Sequence, residues 1–336
     1  MIARLAITFF LVVGFLVLPA IAYLLCHWLM PRRYGRKVGF ALAVVIIAFV
    51  VYGMTAGFRP LVVRHIEFAS ADLPAAFDGY RIVQFSDAHV GTLVNHGEGM
   101  VQQLIDSING QAPDMIVFTG DMQNIQPEEL APQIPYFRQL KARDGVFAVL
   151  GNHDYAVYQT GTDEEKERNC ELTKDIIRKM GFDLLLNEHR IIHRDSDSIV
   201  VAGMENWSKA ERMPRKGDVA KTLSHPSPLT PHLSPQTSHL SPLTSHPYTI
   251  MLQHDPSCWR EKILPECNAQ LTLSGHTHGG QFQLFGWSPV AFSYSEWGGM
   301  TYEGSRAIYV STGAGSLIPF RLNQPREITV ITLKKK

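Results

Sequence analysis

The sequence predicts an α/β domain carried behind a two-helix transmembrane hairpin. Three observations lead there. The N-terminus holds two long apolar stretches free of Lys, Arg, Asp and Glu. From Tyr80 onward, short β-rich runs alternate with helical stretches. Most of those runs end in clusters of Asp, Asn, His and Gly, at the carboxyl ends of the predicted strands, where ligands of open α/β sheets gather.

The apolar stretches are "LAITFFLVVGFLVLPAIAYLLCHWLM" and "VGFALAVVIIAFVVYGMTAG", each about as long as a bilayer-crossing helix requires. Between them "PRRYGRK" carries Arg32, Arg33, Arg36 and Lys37. Two buried core helices would seldom run so far without a polar interruption, so the expectation is a multi-pass anchor in the cell (inner) membrane. Positive charge stays on the cytoplasmic side, which sends everything after Gly57 to the other face. Arg4 followed by an apolar run and Ala20-Ile21-Ala22 also resembles a signal peptide. The run continues to Met30, which disfavours cleavage, so an extracytoplasmic domain is expected. The predicted organisation is a hairpin over 1–58, a linker with a first strand over 59–79, and a catalytic domain over 80–336.

The strand-like runs are "YRIVQFSD", "DMIVFTGD", "GVFAVLGNHD", "SIVVAG", "YTIMLQHD", "AQLTLSGHTH" and "RAIYVSTG". Runs apolar throughout suit strands covered on both faces. Between several of them lie helices such as "MVQQLIDSIN" and "DEEKERNCELTKDIIRKM"; the second opens with acids and ends in bases, as the helix dipole favours. One segment breaks the pattern. Ser224 to Thr249 repeats with a period of about seven, placing His225, His232, His239 and His246 in register with a proline in every unit. Proline excludes a coiled coil and the composition cannot build a core, so a disordered insertion is expected at about 214–247. Its histidines are set apart from the catalytic set.

Net charge separates few function classes. The 31 basic residues balance the 31 acidic ones, which gives no argument for a nucleic-acid partner. Four cysteines without a CxxC pair argue against a zinc knuckle or a disulfide framework, and buried free thiols are the expectation.

Five strand ends carry the chemistry: Asp87-Ala88-His89, Gly120-Asp121, Gly151-Asn152-His153-Asp154, His254-Asp255 and Gly275-His276-Thr277-His278. An Asp-x-His or His-x-His pair turns both side chains toward one point, since alternate residues share a face. Imidazole mixed with carboxylate and amide oxygen suits manganese, iron or zinc better than calcium or magnesium. Any one of these motifs is a common polar turn. Five in order, each behind a strand, describe the walls of a metal site.

These motifs resemble the calcineurin-like metallophosphoesterase superfamily, whose ordered signature is D-x-H, G-D, G-N-H-D/E, H and G-H-x-H. The match covers roughly Arg81 to the C-terminus. The tail "GGMTYEGSRAIYVSTGAGSLIPFRLNQPREITVITL" is similar to the membrane-associated bacterial branch, which includes enzymes like UDP-2,3-diacylglucosamine pyrophosphatase. The resemblance implies a β-sandwich flanked by helices, with two divalent ions at its rim, manganese first and iron or zinc as alternatives. It implies that Asp87, His89 and His278 hold one ion, that Asn152, His254 and His276 hold the other, and that Asp121 bridges them. His153 would stand outside the metal shell near the scissile phosphate, with Asp154 orienting it. Asn124 stands where the family often has an acid, a departure that bears on the tuning of the site and not on its activity.

The implied reaction is attack of a metal-bound hydroxide on a phosphoester or pyrophosphate. The expected partners are a phosphorylated small molecule or lipid and the bilayer itself. A soluble-substrate phosphomonoesterase or phosphodiesterase is the rival enzyme, and a degenerate membrane-tethered binding protein the rival class. The stretch "QFQLFGWSPVAFSYSEW" after the last ligand pair reads either as an acyl-chain path or as core and loop.

Overall fold

The computed structural model describes residues 2–97, 99–224 and 247–336. Helix Ile2–Val12 passes through one π-helical turn, Val13–Val17, into helix Leu18–Leu29. After a break at Met30-Pro31, helix Arg32–Met54 returns alongside it. Two segments are long and apolar enough to cross a membrane, Ile7–Leu29 and Arg32–Met54. Their outer faces leave Phe9, Leu16, Leu24, Phe40 and Phe49 exposed, an apolar surface that suits hydrocarbon and not water. Gly35 and Gly39 face Cys26 and Tyr23 across the hairpin, the close small-residue contact usual between membrane helices.

The rest folds into two six-stranded sheets. The strands are β1 (Leu61–Ser70), β2 (Arg81–Phe85), β3 (Met115–Phe118), β4 (Val146–Ala148), β5 (Asp183–Leu184) and β6 (Glu188–Arg194). They continue as β7 (Asp197–Gly203), β8 (Thr249–Leu252), β9 (Leu271–Ser274), β10 (Gly299–Glu303), β11 (Arg306–Val310) and β12 (Arg326–Lys335). One sheet runs β1-β12-β2-β3-β4-β5 and the other β10-β11-β9-β8-β7-β6. The strands that end in polar clusters, β2, β3 and β4 in one sheet and β8 and β9 in the other, are parallel within their sheets.

Alternation accounts for runs that are apolar throughout. Ile82, Val117 and Phe147 point into the space between the sheets, against Val201, Ile250, Leu271 and Tyr309. Their neighbours Val83, Phe85, Ile116 and Phe118 point outward under helices Met100–Asn109 and Asp163–Lys179. Val200, Met251 and Ile308 face the opposite outer side, where Trp259 and Ile263 cover them. The expected sandwich flanked by helices is what forms. Full burial of each such side chain contributes about 1.5–3 kcal/mol.

Helix Asp163–Lys179 starts at the Thr162 cap with Glu165 reaching back, and its acidic first turn and basic last turn match the dipole. The first strand is more than a linker: β1 pairs along its whole length with β12, and Arg64 meets Glu327 there. All four cysteines are free.

The expected insertion is corrected at its start. The Pro/His repeat over 225–246 lies outside the described residues. Residues 214–224, however, are ordered, with helix Val219–Ser224 burying Val219 and Thr222. The Thr222 carbonyl meets His189 Nδ1 at 2.8 Å, and the Arg215 guanidinium lies over the Trp207 ring. Packing on β6 orders a segment whose Pro214 and Gly217 read as loop.

Candidate metal centre

The five polar clusters converge because the strands that carry them end at one rim of the sandwich. The loops are tied to one another through the backbone. Asp87 N–H donates to the Gly120 carbonyl at 2.8 Å, His89 N–H to that of Asp121 at 3.2 Å, and Gly275 N–H to that of His254 at 3.0 Å. His276 N–H donates to the Asp87 carboxylate at 3.0 Å, which joins the two sheets. Asp87, His89, Asp121, His276 and His278 all take left-handed backbone conformations, with φ between 41° and 73°. For residues with a Cβ this costs roughly 1–2 kcal/mol each, a strain that concentrates at functional sites.

Side chains gather in three overlapping groups: Asp87, His89 and His278; Asp121, His254 and His276; and His89, Asp121 and His153. The first is one of the two ligand sets that the resemblance implies; the second joins His254 and His276 of the other set to Asp121, while Asn152 is not among the three groups. Asp121 Oδ2 is 3.2 Å from His254 Nε2 and 3.8 Å from His89 Nε2. His278 Nε2 is 3.4 Å from Asp87 Oδ1. Gly151 presses against Asp121 so closely that a Cβ there would overlap the carboxylate, which fixes the loop at glycine.

The residues present fit a cation. The Thr119 carbonyl accepts from His254 Nδ1 at 2.7 Å, leaving the Nε2 lone pair facing inward. His276 Nε2 lies 2.9 Å from the Tyr294 hydroxyl and 3.5 Å from Asp255, leaving its Nδ1 inward, 3.2 Å from His254 Nε2. Two nitrogen lone pairs and a carboxylate oxygen facing one point repel unless a proton or a cation lies among them. The Asn152 Oδ1 and His89 Nε2 atoms are buried with no hydrogen-bond partner. Burial, then His153, pushes His89 down to about 3, and burial, then His89, holds His278 well below the usual imidazole range. Both rings are therefore neutral and able to ligate at any ordinary pH.

His254 behaves in the opposite way in the metal-free chain. Burial works against its charge, but Asp121 outweighs that and raises it to about 10. Burial also lifts the Asp87 carboxyl to about 6. Metal uptake at pH 7.5 is therefore expected to displace about one proton per chain, chiefly from His254. It should weaken as the pH falls through 6 and Asp87 takes up a proton. Calorimetry in buffers of different ionisation enthalpy reads this directly; a binding heat independent of the buffer would contradict it.

His153 stands beside His89, ring centroids 4.7 Å apart, and its Nδ1 meets the Asn124 carbonyl. The expectation that Asp154 orients it is corrected. Both Asp154 oxygens are turned to backbone N–H groups: Asp121 at 2.8 Å, Gly151 and Met122 at 3.0 Å, and Gln123 at 3.3 Å. A fully buried carboxylate here closes the Asp121 loop onto the Asn152 loop, and the Asn124 carbonyl takes the place beside His153. The Asn124 side chain is spent on Thr92, donating to its hydroxyl at 2.6 Å.

Sequence reasoning missed the groups behind the ligands. Tyr294 and Asp255 back His276, and Tyr158 accepts from Asn152 Nδ2 at 3.2 Å while its ring lies tilted against His153, centroids 4.3 Å apart. Asp255 is visible beside His254, but Tyr158 and Tyr294 lie in loops with no motif to mark them.

A family model for calcineurin-like phosphoesterases matches residues 80–280. The "Transmembrane protein with metallophosphoesterase domain" of Danio rerio is 30% identical over 303 residues, covering 88% of this chain and 62% of that protein. The "Uncharacterized metallophosphoesterase YkuE" of Bacillus subtilis is 31% identical over 294 residues, covering 84% of this chain and 90% of that protein. A Campylobacter jejuni relative, "Uncharacterized metallophosphoesterase Cj0846", is 28% identical and covers 87% of this chain and 69% of its own length. The chain thus spans less than two thirds of the fish protein but most of the Bacillus one. It belongs to the calcineurin-like phosphoesterase family and is a metal-dependent phosphohydrolase.

Proposed function

We propose that this phosphohydrolase uses two divalent ions, is anchored by its N-terminal hairpin, and cleaves a phosphoester or pyrophosphate bond in a lipid-linked substrate. The observation that supports the dinuclear reading is Asp121, which belongs to two groups, one with His254 and His276 and one with His89 and His153, while His89 also joins Asp87 and His278. Asp87, His89 and His278 would hold one ion, Asn152, His254 and His276 the other, and Asp121 would serve both. Ions of this kind supply Lewis acidity to phosphoryl oxygens and acidify bound water.

The chain's own groups then have distinct tasks. Asp121 carries the negative charge that both positions share. The Thr119 carbonyl fixes which nitrogen His254 turns inward, and Tyr294 and Asp255 do the same for His276. The Asn124 carbonyl holds the Nδ1 side of His153, so that Nε2 is the atom available to donate to the phosphate or its leaving oxygen. Asn152 offers Oδ1 inward because Tyr158 takes its Nδ2.

A membrane anchor favours an amphiphilic substrate, since the site and a lipid headgroup then share a plane. The basic residues Arg32, Arg33, Arg36 and Lys37 lie at the hairpin turn, and Phe10 and Gly53, at the other end, meet the domain. The positive-inside bias then assigns the domain to the extracytoplasmic side. One experiment tests substrate and side together. Full-length protein in sealed right-side-out vesicles is given manganese and either membrane-impermeant soluble phosphoesters or phosphorylated lipids from a bacterial extract. The expected result is turnover of the lipid fraction well above that of any soluble ester, with the soluble esters that do react cleaved before detergent is added. Preference for soluble esters would refute the lipid reading, and activity appearing only after detergent would reverse the orientation.

A further inference from the structure

One loop of the catalytic domain docks on the domain-side end of the hairpin. Arg321 N–H donates to the Gly53 carbonyl at 2.9 Å, and the Phe320 ring fills the space a Cβ at Gly53 would take. The same ring lies 4.9 Å from Phe10, so both membrane helices meet this loop.

The loop is in turn paired with the turn that follows His278. Leu322 bridges Phe282, and the Gln281 side-chain amide donates to the Ile318 and Phe320 carbonyls at 2.7 and 2.8 Å. Beyond Phe282 the chain makes a tight reversal in which Leu284 and Trp287 exchange both backbone hydrogen bonds, at 2.9 and 3.0 Å. Phe285 at its tip is 99% exposed and Phe292 is 85% exposed. Leu284 and Trp287 are also exposed, and the Trp287 and Phe292 rings meet edge to face at 5.4 Å. A contiguous patch of apolar surface left in water marks a contact surface.

We propose that Leu284–Phe292 is a membrane finger that enters the interfacial layer of the bilayer crossed by the hairpin. The inference rests on the reading of the hairpin as membrane-spanning. The occupant is a lipid surface, because the turn is continuous with the hairpin through Leu322 and Phe320, and its Trp and Phe side chains suit the headgroup boundary. Its root is the metal centre: only Gly279 and Gly280 separate His278 from Gln281. Thr277 Oγ1 donates to the Trp297 carbonyl at 2.7 Å and closes the base of the whole excursion. The finger therefore brings the mouth of the site to the level of lipid phosphates.

The test is depth-resolved quenching of an environment-sensitive fluorophore on the full-length protein in phosphatidylcholine–phosphatidylglycerol vesicles, in a Cys26→Ser, Cys267→Ser background. Labels are placed at Phe285→Cys and, separately, Phe292→Cys. Leu24→Cys on the hairpin and Lys141→Cys on the far side of the domain serve as references. The finger labels should be quenched at least about two-fold by lipids bearing a nitroxide just below the headgroup, and be shielded from aqueous iodide relative to Lys141→Cys. Finger labels that respond to iodide like Lys141→Cys, with Leu24→Cys quenched from the lipid, would overturn the finger and leave the anchor standing. A Leu24→Cys label untouched by lipid quenchers would overturn both.

Discussion

Replacing Asp121 by Asn is expected to lower turnover by roughly 10⁴-fold or more while leaving the fold intact. Two ions each stabilise developing phosphoryl charge by several kcal/mol, and each 1.36 kcal/mol is a factor of ten in rate. Asp121 stands between His254, at 3.2 Å, and His89, at 3.8 Å, and groups with His276 on the first side. The amide keeps the shape and one oxygen, so the acceptor for His153 N–H, now at 2.8 Å, survives. What disappears is the charge common to both positions. Asp121→Glu should not rescue, because Gly151 leaves no room for a longer side chain. His153→Ala, which removes a donor and no ligand, should cost only about 10²-fold. Steady-state rates of the three variants on one phosphoester check the order, and equal losses at Asp121 and His153 would contradict it.

Asp154→Ala is expected to act on stability first. It strips an acceptor from the N–H groups of Gly151, Asp121, Met122 and Gln123 inside a fully buried loop junction. Each unsatisfied buried donor costs about 1–3 kcal/mol, and partial rearrangement should leave a net loss of about 3–5 kcal/mol. For a domain of this size that lowers Tm by roughly 10 °C. Asp154→Asn keeps one acceptor oxygen and should fall between the alanine variant and the parent. Thermal unfolding of the metal-free proteins separates this from a chemical role. An unchanged Tm with lost turnover would return Asp154 to the catalytic set.

Much of this is legible in the sequence, for physical reasons. Doubly covered strands must be apolar on both faces, so "MIVF" and "IVVA" announce themselves. Their polar ends mark the rim where the sheets stop. The candidate ligands stand out because imidazole and carboxylate repeated at five strand ends suit little besides a cation. Asp154 is harder to read, because a carboxylate that accepts backbone amides and one that orients a histidine look alike in a string; only direction separates them. Tyr294 and Tyr158 reach the site from loops without periodicity. The pairing of β1 with β12 joins segments separated by most of the domain, which no local pattern encodes. Val219–Ser224 is too short a helix to show a period against its proline and glycine neighbours.

Hydrolysis is expected to depend on two ions held through Asp121. Metal-free protein is titrated with Mn²⁺ while bound metal per chain and turnover are measured at each step, for the parent and for Asp121→Asn, with Ca²⁺ as the comparison ion. The expected result is no turnover without metal, a rise that levels off at about two Mn²⁺ per chain, little recovery with Ca²⁺, and weakened uptake of both ions by the variant. Full turnover by the metal-free parent, or a plateau at one ion that Asp121→Asn leaves unchanged, would contradict it.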